Sequence, residues 1–432
     1  MQGQVQDQVQ DRVQEQMEDV ATFAARAEKW LRSARPPRAA RTRRWGEGEF
    51  DVTVFHDLEP DVELALLAEH VAWHHEKLDA GFGAIAAPVE YGGAGLTPTH
   101  DRAFAELEAG FEVPNDHELF AVTTHLVAPT IAVFGTPEQK ERFVRRFLRA
   151  DEFCCQLFSE PGAGSDLAGL ATRATRDGDH WVLDGQKVWT SNARISPWGL
   201  AICRTDPDVP KHAGLTAFLV PIPSPGLEVR PIKQMNGGAS FNEVFFDHTP
   251  VADDLRIGDV GDGWKVALTV LGFERETSGS SGRRGGDFED LLGLARAMDR
   301  TDEPVVRQDL ARIYSREKNL EWTRARTAAE AAAADRAVGL EGSVEKLLWT
   351  QAMTAVSAVA ARLLGPALTA DTGEWGTFDW NDHVLGAPGY RIAGGSDEIQ
   401  RTIIGERVLG LPSEPRVDRG VAFKDMAALS GR

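Results

Sequence analysis

The 432-residue sequence contains only three cysteines and has no excess of positive charge. Cys154, Cys155 and Cys203 show no CxxC spacing, so they indicate neither a disulfide framework nor a zinc site, and we expect a reducing compartment. The net charge of −19 argues against general binding to nucleic acid or an anionic membrane, which requires a basic surface. No apolar run approaches the ~18–20 residues that span a bilayer. Residues 1–19 lack the basic and apolar regions of a signal peptide. These absences predict a cytoplasmic protein.

A metal site is also not expected. His70 and His74 are four residues apart in a helical stretch, a spacing that can bind metal. No third ligand follows in order, and His74-His75-Glu76 is not an HExxH motif. We interpret both histidines as packing or surface residues.

The hydrophobic pattern divides the chain into helical, β-rich and again helical parts. Thr136-Pro137-Glu138 predicts a helix start in the first part, with Thr as the N-cap. Asp177-Gly178 and Asp184-Gly185 predict turns between short strands, which indicates an antiparallel sheet or small barrel. A loop is predicted over residues 375–389. The predicted domains are an N-terminal extension and linker (1–50), an N-terminal helical domain (51–150), a middle β domain (151–258), a C-terminal helical domain (259–412) and a tail (413–432).

Three segments carry the chemical signal. FSEPGAGSD (158–166) contains small residues whose backbone can approach a ligand closely, although such a loop can also be a plain turn. QKVWTSN (186–192) delivers an indole and two hydroxyls to a strand end, where a core Trp is the alternative to one beside a flat cofactor. GGSDEIQR (394–401) opens the last helix, with Ser396 as N-cap and acidic residues at the positive helix end. The two glycines allow backbone to lie against a ligand.

In this order and separation, the three segments resemble the acyl-CoA dehydrogenase family over about residues 51–412. GERVLGLP (405–412) is similar to the actinobacterial branch, which includes steroid-degrading members. The resemblance implies an α+β fold with an N-terminal helical domain, a middle antiparallel β-barrel-like domain and a C-terminal four-helix-bundle domain. It also implies bound FAD. By match to the family motifs, the residues expected to contact FAD are Gln156, Phe158, Ser159, Ser165, Trp189, Ser191, Gln308, Ser396 and Glu398.

One position departs from the family pattern. Many members carry the catalytic glutamate where this chain has Gly394, and glycine cannot accept a proton. Ala267, Val270 and Leu271 form an apolar helical stripe that Glu274 continues, and a carboxylate on a buried face is unusual. A minority of the family, including isovaleryl and long-chain enzymes, places its base in a similar Glu-Arg pair on this helix. We therefore predict Glu274 as the base, with a Glu–Arg ion pair at a helix end as the alternative.

The resemblance assigns roles to the surrounding residues. The backbone N–H of Gly394 would stabilise the thioester oxygen, a contact that survives loss of the side chain. Ser165, Arg275 and Gly395 are expected to contact the substrate. Glu276 lies about 200° around the helix from Glu274, so both cannot face one pocket.

A second departure concerns assembly. Gln308 matches a family Gln that reaches the FAD of a neighbouring subunit, but the Arg-x-Phe-Gly motif that usually precedes it is absent. Both a homo-oligomer and a complex with a related partner subunit remain open.

The sequence thus predicts FAD-dependent α,β-dehydrogenation of an acyl thioester to the 2-enoyl thioester, carried by CoA or a carrier protein. Electron-transfer flavoprotein is the expected acceptor. Two alternatives stay open: a non-catalytic or half-site subunit of a heteromeric dehydrogenase, and a flavin oxidase or oxygenase on the same fold.

Overall fold

The computed structural model describes residues 18–38, 52, 54–55, 58–114, 117–277, 286–333, 339–369, 377–416 and 418–428. Most of the predicted N-terminal extension outside 18–38, and the side chain of Arg275, lie outside this description.

The N-terminal helices enclose an aromatic core. They are α1 (Val20–Ala34), α2 (Pro60–Asp79), α3 (Pro98–Glu108), α4 (Glu118–Phe134) and α5, which is built from Pro137–Gln139, Lys140–Val144 and Arg145–Arg149. The Asp19 carboxylate accepts hydrogen bonds from the first amides of α1. Phe23 and Leu31 on α1 are fully buried with Trp73 on α2 and Phe104 on α3. The segment placed in the N-terminal extension therefore contributes a core helix.

The predicted helix start at Thr136 is confirmed. Its hydroxyl accepts from the Gln139 amide at 3.3 Å, and the Gln139 side chain accepts from the Thr136 amide at 2.9 Å. This reciprocal pair satisfies two donors that a helix start leaves open. The side-chain Nε2 of Gln139 also donates to the carbonyls of Asp254 and Arg256 at 2.7 and 2.8 Å, which ties α5 to the sheet.

An eight-stranded sheet forms the middle of the chain. Its strands are β1 (Cys154–Leu157), β2 (Arg173–Asp177), β3 (His180–Ser191), β4 (Trp198–Arg204), β5 (Leu215–Pro221), β6 (Leu227–Ile232), β7 (Phe241–Ala252) and β8 (Arg256–Ile257). The order is β6-β7-β3-β2-β4-β5-β8, with β1 beside β4. Most pairs are antiparallel, but β1 and β2 each run parallel to β4. The sheet is therefore mixed.

The turn predicted at Asp184-Gly185 is wrong. β3 runs through both residues, and its register against β7 shifts between Leu183 and Gly185. Gly185 has a φ of +149°, and a Cβ there would lie 2.6 Å from the Thr172 hydroxyl. The glycine therefore marks a bulge with a close backbone neighbour, as glycine inside a strand frequently does. The turn predicted at Asp177-Gly178 is confirmed by the β2–β3 pairing.

The C-terminal part is helical. Its described helices are α6 (Gly263–Thr277), α7 (Phe288–Ala297), α8 (Pro304–Ala333), α9 (Gly342–Leu364), α10 (Thr377–Tyr390) and α11 (Asp397–Ile403). The loop predicted over 375–389 is wrong for residues 377–389, which belong to α10. Trp380 of this helix is fully buried in a core shared with α7, α8 and α9, so tertiary packing overrides the content of Gly, Trp and Asp that predicted a loop.

Within the described residues, Gly342–Thr369 is the one helical segment whose length and composition would allow it to cross a membrane. Val356, Ala360 and Leu363 of this segment are buried in the C-terminal core. That packing is typical of the core helix of a globular domain.

Candidate active site

The ends of β1 and β3 bring the first two sequence segments together. The Val188 amide donates to the Ser159 carbonyl at 2.9 Å, which joins the β3 end to the segment that follows β1. Gln156 on β1 is half-buried, and its Nε2 is buried without a hydrogen-bond partner among the described residues. Buried amides normally have partners, so this donor is available for a ligand contact.

Trp189 projects from the same strand end. Its side chain is 61% exposed, and its φ of +61° is uncommon for a residue other than glycine. The indole meets Phe241 edge-on at 6.1 Å between ring centroids. The exposed indole on β3 and the unsatisfied buried amide on β1 belong to strand ends that the Val188–Ser159 hydrogen bond joins, and both groups suit a flat aromatic cofactor.

A residue from another segment reaches this strand end. The Ser191 hydroxyl donates to Glu118 Oε1 at 3.2 Å. Glu118 begins α4, far from β3 in sequence, and no motif or spacing indicated this contact. The predicted FAD-contacting hydroxyl of Ser191 therefore has a carboxylate neighbour that sequence reasoning missed.

A buried ion pair holds the two segments in place. Lys187 is fully buried, and its Nζ donates to Glu160 Oε1 at 2.8 Å and to the carbonyls of Phe158 and Ile202 at 3.0 and 2.7 Å. Glu160 also accepts from the amides of Ala171 and Thr172 at 2.7 and 2.9 Å. Burial opposes ionisation of Glu160, but the Lys187 charge and these hydrogen bonds outweigh it and lower its pKa.

The Gly394-Gly395 turn, before α11, forms a second part of the candidate site. Both glycines have a left-handed backbone conformation, with φ of +63° and +80°. A Cβ on Gly394 would lie 2.9 Å from Glu274 Oε1, so the Glu274 carboxylate occupies the space beside this position. The predicted stripe on α6 is observed, since Ala267 and Val270 are fully buried and Glu274 is half-buried. The two residues that the sequence linked are thus neighbours.

Two side chains hold this turn by its carbonyls. Gln400 Nε2 donates to Gly394 O and Gly395 O at 2.9 and 3.2 Å. Lys346 Nζ, from α9, donates to Gly395 O at 2.7 Å. Sequence reasoning missed both. The one available signal for Lys346 was its position on a strongly apolar helix.

The start of α11 accounts for two predicted residues. Ser396 Oγ accepts from the Ile399 amide at 3.3 Å, so it caps the helix as predicted. The Glu398 side chain is 74% exposed and lies 3.4 Å from Arg401. Asp397 is buried and accepts from Arg391 Nε and Thr350 Oγ1, both at 2.8 Å. Burial opposes the ionisation of Asp397, but these partners lower its pKa.

Phe158, Ser165 and Gln308 are the remaining predicted FAD contacts. Phe158 is buried, and Ser165 is exposed on the loop after it. Gln308 is exposed on α8. It lines a groove of about 480 Å³ with Arg312, Arg316 and Asn319.

The described residues offer little for a metal ion. His74 Nε2 donates to the Leu148 carbonyl at 2.7 Å, and burial lowers the His74 pKa to about 3. Asp184, Asp247 and His248 form the one described cluster with metal-ligating atoms close together, and such exposed groups are common without a metal. Burial raises the pKa of Cys155 to about 12, which fits an inert core thiol.

Comparison with known proteins covers nearly the whole chain. Models of the acyl-CoA dehydrogenase N-terminal, middle and C-terminal domains match residues 2–151, 155–249 and 261–409. Acyl-CoA dehydrogenase IpdE1 of Mycobacterium tuberculosis is 38% identical over 405 residues, covering 93% of this chain and 100% of that protein. IpdE1 of Mycolicibacterium smegmatis is 39% identical over 370 residues, covering 82% and 91%. A solved structure described as the Tcur3481-Tcur3483 steroid ACAD superimposes with a TM-score of 0.70 and 26% identity, covering 92% of this chain and 99% of that chain.

These matches confirm the predicted family resemblance and the predicted α+β fold of helical, β and helical domains. They also agree with the structure, in which β1 and β3 present a buried amide donor and an exposed indole. The chain belongs to the acyl-CoA dehydrogenase family of FAD-dependent oxidoreductases.

Proposed function

We propose that this chain dehydrogenates an acyl-CoA at Cα–Cβ and that Glu274 removes the α-proton. The observation that carries this assignment is the 2.9 Å separation between Glu274 Oε1 and a Cβ placed on Gly394. Family resemblance puts the usual base at position 394. Here α6 supplies a carboxylate to the same place, which favours a catalytic subunit over a non-catalytic one.

The turn would serve the same reaction. Removing an α-proton leaves charge on the thioester oxygen, and a backbone N–H positioned beforehand can stabilise that charge. We assign this role to the Gly394 N–H. Gln400 holds the Gly394 carbonyl at 2.9 Å, so the turn is fixed before substrate arrives. Gly395, Ser165 and Arg275 remain the proposed substrate contacts.

The residues at the β1 and β3 ends fit FAD. The Gln156 amide would donate to the flavin ring, and the exposed Trp189 would cover it. Phe158, Ser159, Ser165 and Ser191 would complete this side, and Ser396 and Glu398 would contact the cofactor from α11. FAD, when bound, supplies the acceptor for the β-hydrogen, which leaves as hydride. Electron-transfer flavoprotein is the acceptor we propose for the electrons, in the cytoplasm.

A neighbouring subunit would complete the assembly. The groove beside Gln308 carries two arginines one helical turn apart, Arg312 and Arg316. Guanidinium groups suit phosphate, so this groove would hold the adenosine diphosphate end of a neighbour's FAD and replace the missing Arg-x-Phe-Gly contact. The solved steroid ACAD structure is described by the names of two proteins, Tcur3481 and Tcur3483, which supports a related partner chain here. Purification alone and with co-expressed related chains, followed by flavin content and mass, separates a homo-oligomer from a heteromer.

Anaerobic flavin reduction tests the base. The flavin absorbance is followed after mixing with a panel of straight-chain and steroid-side-chain acyl-CoA thioesters, which also identifies the substrate. In Glu274→Gln, the best substrate should reduce the flavin at least about 10²-fold more slowly than in the parent protein. A positioned general base contributes about 10²–10⁴-fold to such a rate. Glu141→Gln, an exposed carboxylate on α5, is the matched control and should reduce at the parent rate. Parent-like reduction by Glu274→Gln would refute the assignment.

A further inference from the structure

Lys346 is an unexpected residue on α9. Its side chain is only 8% exposed on a helix whose neighbouring core positions include Met353 and Val356. The ammonium donates to Gly395 O at 2.7 Å, so it reaches the turn that carries the proposed oxyanion donor. Lysine is rarely buried, because an ammonium loses its hydration there.

The surroundings of Lys346 are acidic. Burial lowers the pKa of Lys346, while the charges of Asp397, Glu274 and Glu398, in that order, oppose this shift. Asp397 is already paired with Arg391 at 2.8 Å, and the exposed Glu398 lies near Arg401. Glu274, on α6, also acts on Lys346 through its charge. The two side chains meet the same turn, since Glu274 Oε1 lies beside position 394 and Lys346 Nζ binds the next carbonyl, Gly395 O.

The hydrogen bond alone does not account for a charge at this site. Gln400 already donates to Gly395 O at 3.2 Å, so a neutral amide can serve this carbonyl. Burying an ammonium is far more costly than burying an amide. The positive charge therefore indicates an electrostatic role toward a nearby carboxylate.

We propose that Lys346 is a positioning residue for the dehydrogenation. Its ammonium fixes the Gly394-Gly395 turn through Gly395 O and places a positive charge near Glu274, which keeps that carboxylate ionised and able to accept the α-proton. This inference rests on the proposed function of Glu274.

The test separates the charge of Lys346 from its hydrogen bond. Lys346→Arg keeps the charge, Lys346→Gln keeps a donor without charge, and Lys346→Met removes both. Lys265→Met is the matched control. It removes an exposed lysine of α6, the helix that carries Glu274, and this lysine pairs with Asp262 just before the helix. All are prepared as FAD-loaded protein, with any partner chain that proves necessary.

Infrared difference spectra recorded across pH, without substrate, follow protonation of Glu274 through the carboxyl band that is lost in Glu274→Gln. Because an opposite charge favours an ionised carboxylate, the midpoint of this band should move to higher pH in Lys346→Gln and Lys346→Met. It should stay near the parent value in Lys346→Arg and Lys265→Met. A parent-like midpoint in Lys346→Gln would overturn the proposal and leave Lys346 a purely structural tie. If Lys346→Met does not fold, the midpoints of Lys346→Gln and Lys346→Arg are sufficient to decide between the two roles.

Flavin reduction measured across pH gives a second readout. With the best acyl-CoA of the panel, the rising limb of the rate should move to higher pH in Lys346→Gln and be restored in Lys346→Arg. Rapid reduction by Glu274→Gln would refute the role of Glu274 itself. The infrared midpoints would still show whether Lys346 controls the Glu274 charge, so the two failures are distinguishable.

Discussion

Replacing Gly394 with alanine should damage catalysis more than stability. A Cβ at this position would lie 2.9 Å from Glu274 Oε1, closer than a carbon and a carboxylate oxygen can approach. The clashing atom is at the far end of the flexible Glu274 side chain, so a change of rotamer can relieve the clash at little energetic cost. The backbone strain adds to the unfolding free energy that is lost, because alanine at a φ of +63° costs about 1–2 kcal/mol. A displaced base, however, can reduce the rate about 10²-fold when it moves by ~1 Å.

Gly410→Ala provides the matched control. Gly410 has a φ of +68°, and a Cβ there would have no heavy atom within 4 Å. Both variants should therefore lose about 1–2 kcal/mol of unfolding free energy in urea titrations. Gly394→Ala alone should lose about 10²-fold in the anaerobic rate of flavin reduction. Equal rates for the two variants would contradict the contact between position 394 and Glu274, and with it the main argument for the base.

Two further predictions concern buried charges away from the turn. Lys187→Met should cost about 3–5 kcal/mol of unfolding free energy because it leaves Glu160 buried without its cation. Lys187→Met combined with Glu160→Gln should cost less. Equal costs of the single and double variants in urea titrations would contradict a stabilising ion pair. His74, whose pKa is about 3 in the folded protein, stays neutral while the unfolded chain binds a proton below about pH 6.5. Stability should therefore fall as pH decreases from about 6.5 toward 3, and His74→Gln should flatten this slope in thermal melts; an unchanged slope would show that His74 does not contribute.

Sequence reasoning succeeded where the signal was local. The Thr136 cap, the Asp177-Gly178 turn and the three motif segments depend on nearby residues, and they were sufficient to predict the family and the fold. The prediction of Glu274 as the base depended on the period of α6, which placed a carboxylate on a face whose other members, Ala267 and Val270, are buried. Its catalytic role stays a prediction. A carboxylate at such a position conflicts with burial, and conflicts of this kind are concentrated at functional sites.

The failures came from contacts distant in sequence. Asp184-Gly185 has the composition of a turn, but the approach of Thr172 makes it a bulge. Residues 377–390 form a helix whose Trp380 is buried in a core shared with three other helices. Glu118, Lys346 and Gln400 reach their partners through tertiary structure. Of these, only Lys346 broke a local pattern, as a charge on an apolar helix.

Gly394 and Glu274 are best understood as one unit. With the carboxylate of α6 already beside the turn, any side chain at position 394 would displace it, so glycine at 394 is a requirement of this arrangement and not simply a lost base. The left-handed φ of Gly394 adds a second reason, because other residues adopt it at a cost. It follows that moving the base back to position 394 needs two changes. Gly394→Glu alone would bring two carboxylates together, and the like charges would oppose each other's ionisation. Gly394→Glu with Glu274→Gly removes that conflict, so if the two positions share one role, flavin reduction should be faster in the double variant than in either single variant.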